Sequence, residues 1–297
     1  MDGMTQKSAG GSPLAALEPG SPGSGGGRAR GARTGGLRAG RRRGQGVRTS
    51  WLTLASVVVL VLVWWGVSAD VADPNILPSP SATASRAITL ITSGGSASIW
   101  PQLEASTLRV LIGWALGAVI GIPIGVLMAS STHARAAIDP LLEAGRAVPP
   151  LAFAPLMVVW LGIGEISKIA LLVTAAAPII AISTTDGIVG LDNALIRGAR
   201  TLGASRTYLL RHVIVPGALP GIITGLRLAS GLTWGTLVAA EFIASTSGLG
   251  YMILQASQYL DTATIFVGIA AIGVLAFLMD RALRLVERRL LTWRGRA

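Results

Sequence analysis

Few side chains in this sequence are equipped for covalent chemistry. There is no cysteine, so disulfides, thiolate metal centres and a cysteine nucleophile are excluded. The histidines, His133 and His212, stand far apart, and no metal ligand is assigned. The lysines are Lys7 and Lys168, and neither follows the Gly-rich spacing of a phosphate loop. No HExxH, GxSxG or paired catalytic carboxylates occur. The chain is therefore expected to be no enzyme and to bind no cofactor of its own. What remains is charge in an apolar setting. Arg227 lies ten residues into a long hydrophobic run. A charge at that depth is costly and usually faces a cavity or a partner. On a helix, Thr224, Gly231, Trp234 and Glu241 fall near the same face as Arg227. Such a stripe could guide an anion, so Arg227, Thr224, Trp234 and Glu241 are candidates for a translocation pathway. The alternative is an Arg227 paired with a carboxylate or a helix end for structure alone.

The elements that must position these residues are membrane spans. Only 13% of the 297 residues are charged, where a soluble domain carries about a quarter. Runs long enough to cross a bilayer, roughly 20 apolar residues, lie at about 51–69, 107–129, 147–164, 167–190, 217–243 and 262–280, the third starting near Ile138. The expected fold class is all-α: a polytopic membrane protein with six transmembrane helices, in one domain over 51–297. Residues 1–50, rich in Gly, Ser, Pro and Arg, are expected to form a disordered basic tail. With the N-terminus inside, twenty of the 25 basic residues fall on the cytoplasmic side and only Arg86 and Lys168 outside. That asymmetry predicts six spans with both termini cytoplasmic. Residues 51–69 are read as an uncleaved anchor. Basic residues lack interleaved aromatics, so no nucleic acid is expected.

Packing signals are also present. Gly113, Gly117, Gly121 and Gly125 recur at four-residue spacing in the second span, allowing a neighbouring backbone to come close. Pro149, Pro150 and Pro155 interrupt the third. Irregular backbone at membrane depth is tolerated where it is buried in protein or lines a wet cavity. Pro149 and Pro150 are accordingly pathway candidates, with a simple kink as the alternative. Arg109 is expected to snorkel to the outer interface, and Glu241 to meet water near the outer end of the fifth span.

The segment 190–217 joins the fourth and fifth spans. It reads as two short helices, the first capped by Asp192 or Asn193 and ended by Gly203, the second capped by Ser205 and closed by Pro216. Ala199, Leu202, Tyr208 and Leu209 leave apolar surface on a loop, the mark of a docking site. Arg197-Gly198-Ala199, Gly203, Ala204, Val213, Val215 and Pro216 occupy the spacing of the cytoplasmic "EAA" loop, and the segment resembles that loop of ABC importer permeases. It departs from the family pattern in Arg197 for Glu, Gly198 for Ala, and valine at both aliphatic positions. Val148-Pro149-Pro150-Leu151-Ala152-Phe153-Ala154-Pro155-Leu156, Trp160 to Lys168, Thr224-Gly225-Leu226-Arg227 and Glu241 with Gly248-Leu249-Gly250 look like the taurine, aliphatic sulfonate and nitrate branch, the taurine permeases most of all.

The resemblance covers roughly 51–297. It implies the type I importer (MetI-like) fold, a homodimeric pore, and two copies of a separate ATPase docked under 190–217. ATP with magnesium would sit on that ATPase, and an extracytoplasmic solute-binding protein would deliver a small anionic solute, taurine or another alkanesulfonate, across a bacterial cytoplasmic membrane. Nitrate or another small solute is an alternative. So is an ion-coupled secondary transporter, although mid-membrane acids and repeated halves are not evident.

Overall fold

The computed structural model describes residues 45–71, 73–95 and 98–291. The basic tail expected over 1–50 lies outside them except for its last six residues, which are helical. Residues 45–55 are the start of a helix, and residues 56–291 carry everything described below.

All regular structure among the described residues is helical. The order is α1 (Gln45–Val71), α2 (Pro80–Thr92), α3 (Trp100–Ser130), α4 (Thr132–Ala147), a 3₁₀ turn (Pro150–Phe153), α5 (Ala154–Leu161), α6 (Glu165–Val189), α7 (Asn193–Thr201), α8 (Arg206–Leu209), a π turn (Leu210–Ile214), α9 (Val215–Ala244), α10 (Leu249–Gln258) and α11 (Thr262–Leu290). Among the described residues four helices are long and apolar enough to cross a membrane. A fifth span is formed if α4 and the α5 segment count together across a bend of 92°. Ala55–Val71 within α1 is a shorter apolar helix.

The bend is where Pro149 and Pro150 sit. Pro149 is extended (φ −56°, ψ 131°), which stops α4, and Pro150 opens the 3₁₀ turn. The residue before a proline is driven from helical geometry, so Val148 is extended as well. The third run is thus a broken element rather than one kinked helix. α2 was not expected. Its start is nevertheless written in the sequence: Ser79 accepts from the Ala82 amide, and Pro80 sits in the first turn, where its missing N–H costs nothing.

The centre of the fold is α6, flanked by α3 and α9. Gly113, Gly117, Gly121 and Gly125 are all buried on one face of α3 and lie against Leu172, Ala176, Ala177 and Ala181 of α6. On the other flank Gly221 and Gly225 of α9 meet Gly187 and Ser183. With little hydrophobic drive between helices in lipid, this close approach is what holds spans together. Trp114 of α3 donates from Nε1 to the Leu226 carbonyl of α9 at 2.9 Å, which ties the outer two helices across the layer.

α2, α10 and the start of α11 cover the end of the bundle opposite the 193–216 hairpin. Arg86 of α2 donates to Asp261 at 2.8 Å and to Thr264 at 2.8 Å. Asp261 is the N-cap of α11 and accepts from the Thr264 amide. Burial raises its pKa, but the Thr264 hydrogen bonds and Arg86 outweigh this and hold it below the ordinary carboxylate value. Trp64 of α1 stacks on Phe266 of α11 with ring centroids 5.3 Å apart, and donates to the Pro78 carbonyl.

Candidate functional site: the exposed hairpin and a buried charge cluster

The hairpin is built as its residues dictate. Asp192 caps α7, accepting from the Ala194 amide at 2.8 Å. Gly203 takes φ +81°, a left-handed conformation that glycine adopts without strain, and ends the helix. Ser205 caps α8 through the Tyr208 amide at 3.2 Å. The expected closure at Pro216 does not occur. α8 runs through the π turn into α9, with Pro216 in the first turn of α9. A π turn, closed by the Val215 amide on the Leu210 carbonyl, widens the helix by one residue just ahead of the proline. The hairpin is thereby continuous with the fifth-span helix.

The hairpin exposes apolar surface. Leu202 is 89% exposed at the turn. With Ala199, Gly203, Ala204, Ser205 and Tyr208 it lines an open groove of about 480 Å³. Tyr208 and His212 stack along one side, their centroids 4.3 Å apart. Arg197 and Gly198 lie on exposed surface of α7, and a side chain added at Gly198 would meet open space. Val213 is half-buried and Val215 exposed, both at the junction with α9.

The expected stripe on α9 is divided. Thr224 is exposed and Gly231 has open space around it. Arg227 turns to α11, where its Nε meets Asp280 at 3.2 Å and its Nη1 meets Glu287 at 3.1 Å. Trp234 is buried among Val110, Leu172 and Leu237. Its indole Nε1 has no hydrogen-bond partner among the described residues. Glu241, expected near water, is completely buried. The stripe fails as a common face because α9 packs on α6 along one side and α11 along the other. Replacing Trp234 by Phe should leave thermal stability unchanged or slightly higher, since an unsatisfied buried donor costs about 1–3 kcal/mol. A clear drop in melting temperature for the purified variant would show that the indole is bonded after all.

Arg109 is the other correction. It is 4% exposed rather than snorkelling, and it holds a cluster of charges that no single span predicts. Its Nε and Nη2 grip Glu165 at the start of α6, at 2.6 and 2.7 Å. Its Nη1 meets Glu241 of α9 at 2.7 Å and the Ser247 carbonyl at 2.6 Å. Lys168, expected on the outer side at the start of the fourth span, is one turn inside α6, 4% exposed, and donates to Glu165 at 2.9 Å. Glu241 also accepts from the Ser106 hydroxyl at 2.8 Å and the Gly250 amide at 2.7 Å. Two cations meet two carboxylates, and the cluster fastens α3, α6, α9 and the turn into α10 to one another. Sequence spacing could not pair residues 56 and 132 positions apart. The signal that could have found them is the balance of charges at matching depth in different spans.

Comparison with known proteins places this architecture. Residues 121–292 match the family described as the inner membrane component of binding-protein-dependent transport systems. The taurine transport system permease protein TauC of Escherichia coli (strain K12) is 42% identical over 247 residues, covering 82% of this chain and 90% of that protein. A protein of Bacillus subtilis (strain 168) named for aliphatic sulfonates transport, SsuC, is 37% identical over 250 residues, covering 84% of this chain and 90% of that one. Among solved structures, a chain of the MetNI methionine ABC transporter in inward-facing form overlays with a TM-score of 0.53 at 22% identity. That overlay covers 65% of this chain and 99% of the other, a likeness of fold.

Proposed function

The chain belongs to the inner membrane components of binding-protein-dependent transport systems and is a permease of the ABC importers, and from that footing we propose that two copies enclose a path for taurine or another alkanesulfonate. The observation that carries the mechanical part is the hairpin. It presents exposed Leu202 and Tyr208 around an open groove, and it continues without a break into α9. A partner that grips α7 and α8 therefore moves α9 directly. Two ATPase copies, binding ATP with magnesium, are that partner. Their closure draws the two hairpins together and rotates the α9 helices so that the path opens to the other side. A solute-binding protein delivers the solute there.

Charge supports the orientation. The hairpin end carries Arg197, Arg200 and Arg211, and α11 ends there with Arg284, Arg288 and Arg289. Lys and Arg near span ends mark the cytoplasmic side, which supports a hairpin and both termini in the cytoplasm of a bacterium. The exposed side of α9 with Thr224 and Gly231, and the break at Pro149 and Pro150, are the surfaces that line the path. Arg227 stands beside that face, held ready by Asp280 and Glu287. The named solutes of TauC and SsuC support an alkanesulfonate as cargo.

The test is reconstitution in liposomes with the ATPase and the binding protein. Taurine uptake should require ATP and survive collapse of ion gradients. Uptake that follows the ion gradient and ignores ATP would sink the reading. At the hairpin, Leu202→Asp should cut co-purification of the ATPase by more than 10-fold, about 1.4 kcal/mol of binding or more, with the permease itself still monodisperse. Unchanged co-purification would move the docking site elsewhere.

A further inference from the structure

The buried charge cluster is unequal in its exposure. The Arg109 and Lys168 side chains are 5% and 4% exposed, whereas that of Glu165 is 55% exposed. Buried cations normally keep a buried counterion, because desolvation makes an unpaired charge expensive. Glu241 is such a counterion: it has no exposed surface and is fixed by Ser106, Arg109 and Gly250. Glu165 is not. It reaches the cations from the rim, and among the described residues nothing packs over the segment that precedes it. Ile163 is 81% exposed, and Gly162 and Gly164 both have open space where a side chain would stand. Gly162 also takes φ +78°, so the chain entering α6 turns on glycine.

From this we infer that Glu165 is a displaceable internal counterion, and that the donors it covers form a site for the sulfonate group of the solute. The inference rests on the alkanesulfonate reading given above. Three donors converge on the Glu165 carboxylate: Arg109 Nε on Oε2, with Arg109 Nη2 and Lys168 Nζ sharing Oε1. Two oxygens thus serve three donors. A sulfonate offers three oxygens, two for the planar guanidinium fork and one for the ammonium. The site is preorganised, because departure of Glu165 does not free Arg109. Its Nη1 stays bonded to Glu241 and to the Ser247 carbonyl. With Glu165 in place the four groups sum to neutrality, and with Glu165 swung out they carry one positive charge, which an entering anion cancels. The cluster lies at the end of the bundle opposite the hairpin, where solute released by a binding protein arrives. Exchange of Glu165 for the solute, and its return behind it, keeps the cations paired throughout.

A competitor built into a site lowers the apparent affinity by the fraction of time the site is vacant. Binding of radiolabelled taurine and ethanesulfonate is measured on the full-length permease with its ATPase, in maltoside micelles, without the binding protein. Glu165→Gln, which keeps the shape and removes the charge, is expected to bind about 10-fold tighter than wild type, and Lys168→Met about 10-fold weaker. Ethyl methyl sulfone, uncharged, should not compete. Equal or weaker binding by an assembled Glu165→Gln complex overturns the inference, as does indifference to Lys168→Met. Should Glu165→Gln fail to assemble, Glu165→Asp withdraws the carboxylate by one methylene. It should then bind tighter than wild type, and no tightening is again contrary. A phospholipid headgroup carries the same oxyanion chemistry. Sulfonate binding that vanishes on transfer from micelles to phosphatidylglycerol nanodiscs would assign the site to lipid and remove the solute. ATP-driven taurine uptake by wild type is read separately. Its failure strikes the transport reading, whereas successful uptake with an unresponsive Glu165→Gln strikes only the exchange.

Discussion

Arg109→Met should leave a permease that melts roughly 10 °C below wild type or cannot be extracted as a monodisperse species. The substitution keeps most of the side-chain volume and removes the charge. Glu241 is then left with no exposed surface and without its cation, its partners reduced to Ser106 and Gly250. Breaking a buried pair by deleting one partner costs about 3–5 kcal/mol, and for a domain of this size each kcal/mol moves the melting temperature by about 2–4 °C. The double variant Arg109→Met with Glu241→Gln separates charge from packing. It takes away the stranded acid while leaving an acceptor for the Gly250 amide, so it should recover a substantial part of the loss. A single variant melting within a degree or two of wild type would mean that water reaches Glu241, and the cluster would lose its standing as the fastening between α3, α6 and the α9–α10 turn. A double variant no better than the single one would place the cost in packing rather than in charge.

The contrast between the hairpin and this cluster shows what a linear sequence can disclose. Asp192, Gly203 and Ser205 act on backbone groups within a few residues of themselves, so their spacing alone predicted two short helices with those caps. Pro216 was misjudged by the same local logic. A proline ends a regular α-helix, but a π turn precedes this one, and nothing in the residues 210–214 announces that widening. α2 was missed although Ser79 and Pro80 supply an N-cap and a first-turn proline. The prolines at 74, 78 and 80 alternate in a way that suggests extended or turn geometry, yet the last of them opens a helix.

The functional residues divide along the same line. Hairpin residues are legible because exposed apolar surface is a local property of one segment. Arg109, Glu165, Lys168 and Glu241 are each ambiguous alone, since any charge near a span end has water as a plausible partner. Only the register of α3 against α6 and α9 brings them together. That register is set by glycines, which the sequence does display. The step from the glycine spacing to the charge cluster needs the identity of the neighbouring helix, and helix pairing in lipid is specified by shape complementarity rather than by any pattern of charge along one span.

The glycines of α3 therefore carry the second large prediction, and one substitution should have opposite signs at two places. A Cβ at Gly121 would stand 2.6 Å from the Ala177 carbonyl oxygen, and one at Gly125 would stand 2.5 Å from the Ala181 carbonyl oxygen. Both obstacles are backbone, so relief requires α3 and α6 to part rather than a side chain to rotate. Gly121→Ala with Gly125→Ala should cost about 1–3 kcal/mol at each site from overpacking. Separation of the helices would also lengthen the Arg109 contacts to Glu165 at the far end of the same interface, adding to the loss. Gly145 in α4 has nothing within 4 Å of its Cβ position and lies inside a helix, so Gly145→Ala should stabilise by about 0.5–1 kcal/mol through the lower helix cost of alanine. Melting temperatures of the purified variants decide this. Similar small shifts for the α3 pair and for Gly145→Ala would show that the α3–α6 interface yields freely, and the register that aligns the charge cluster would then need another cause.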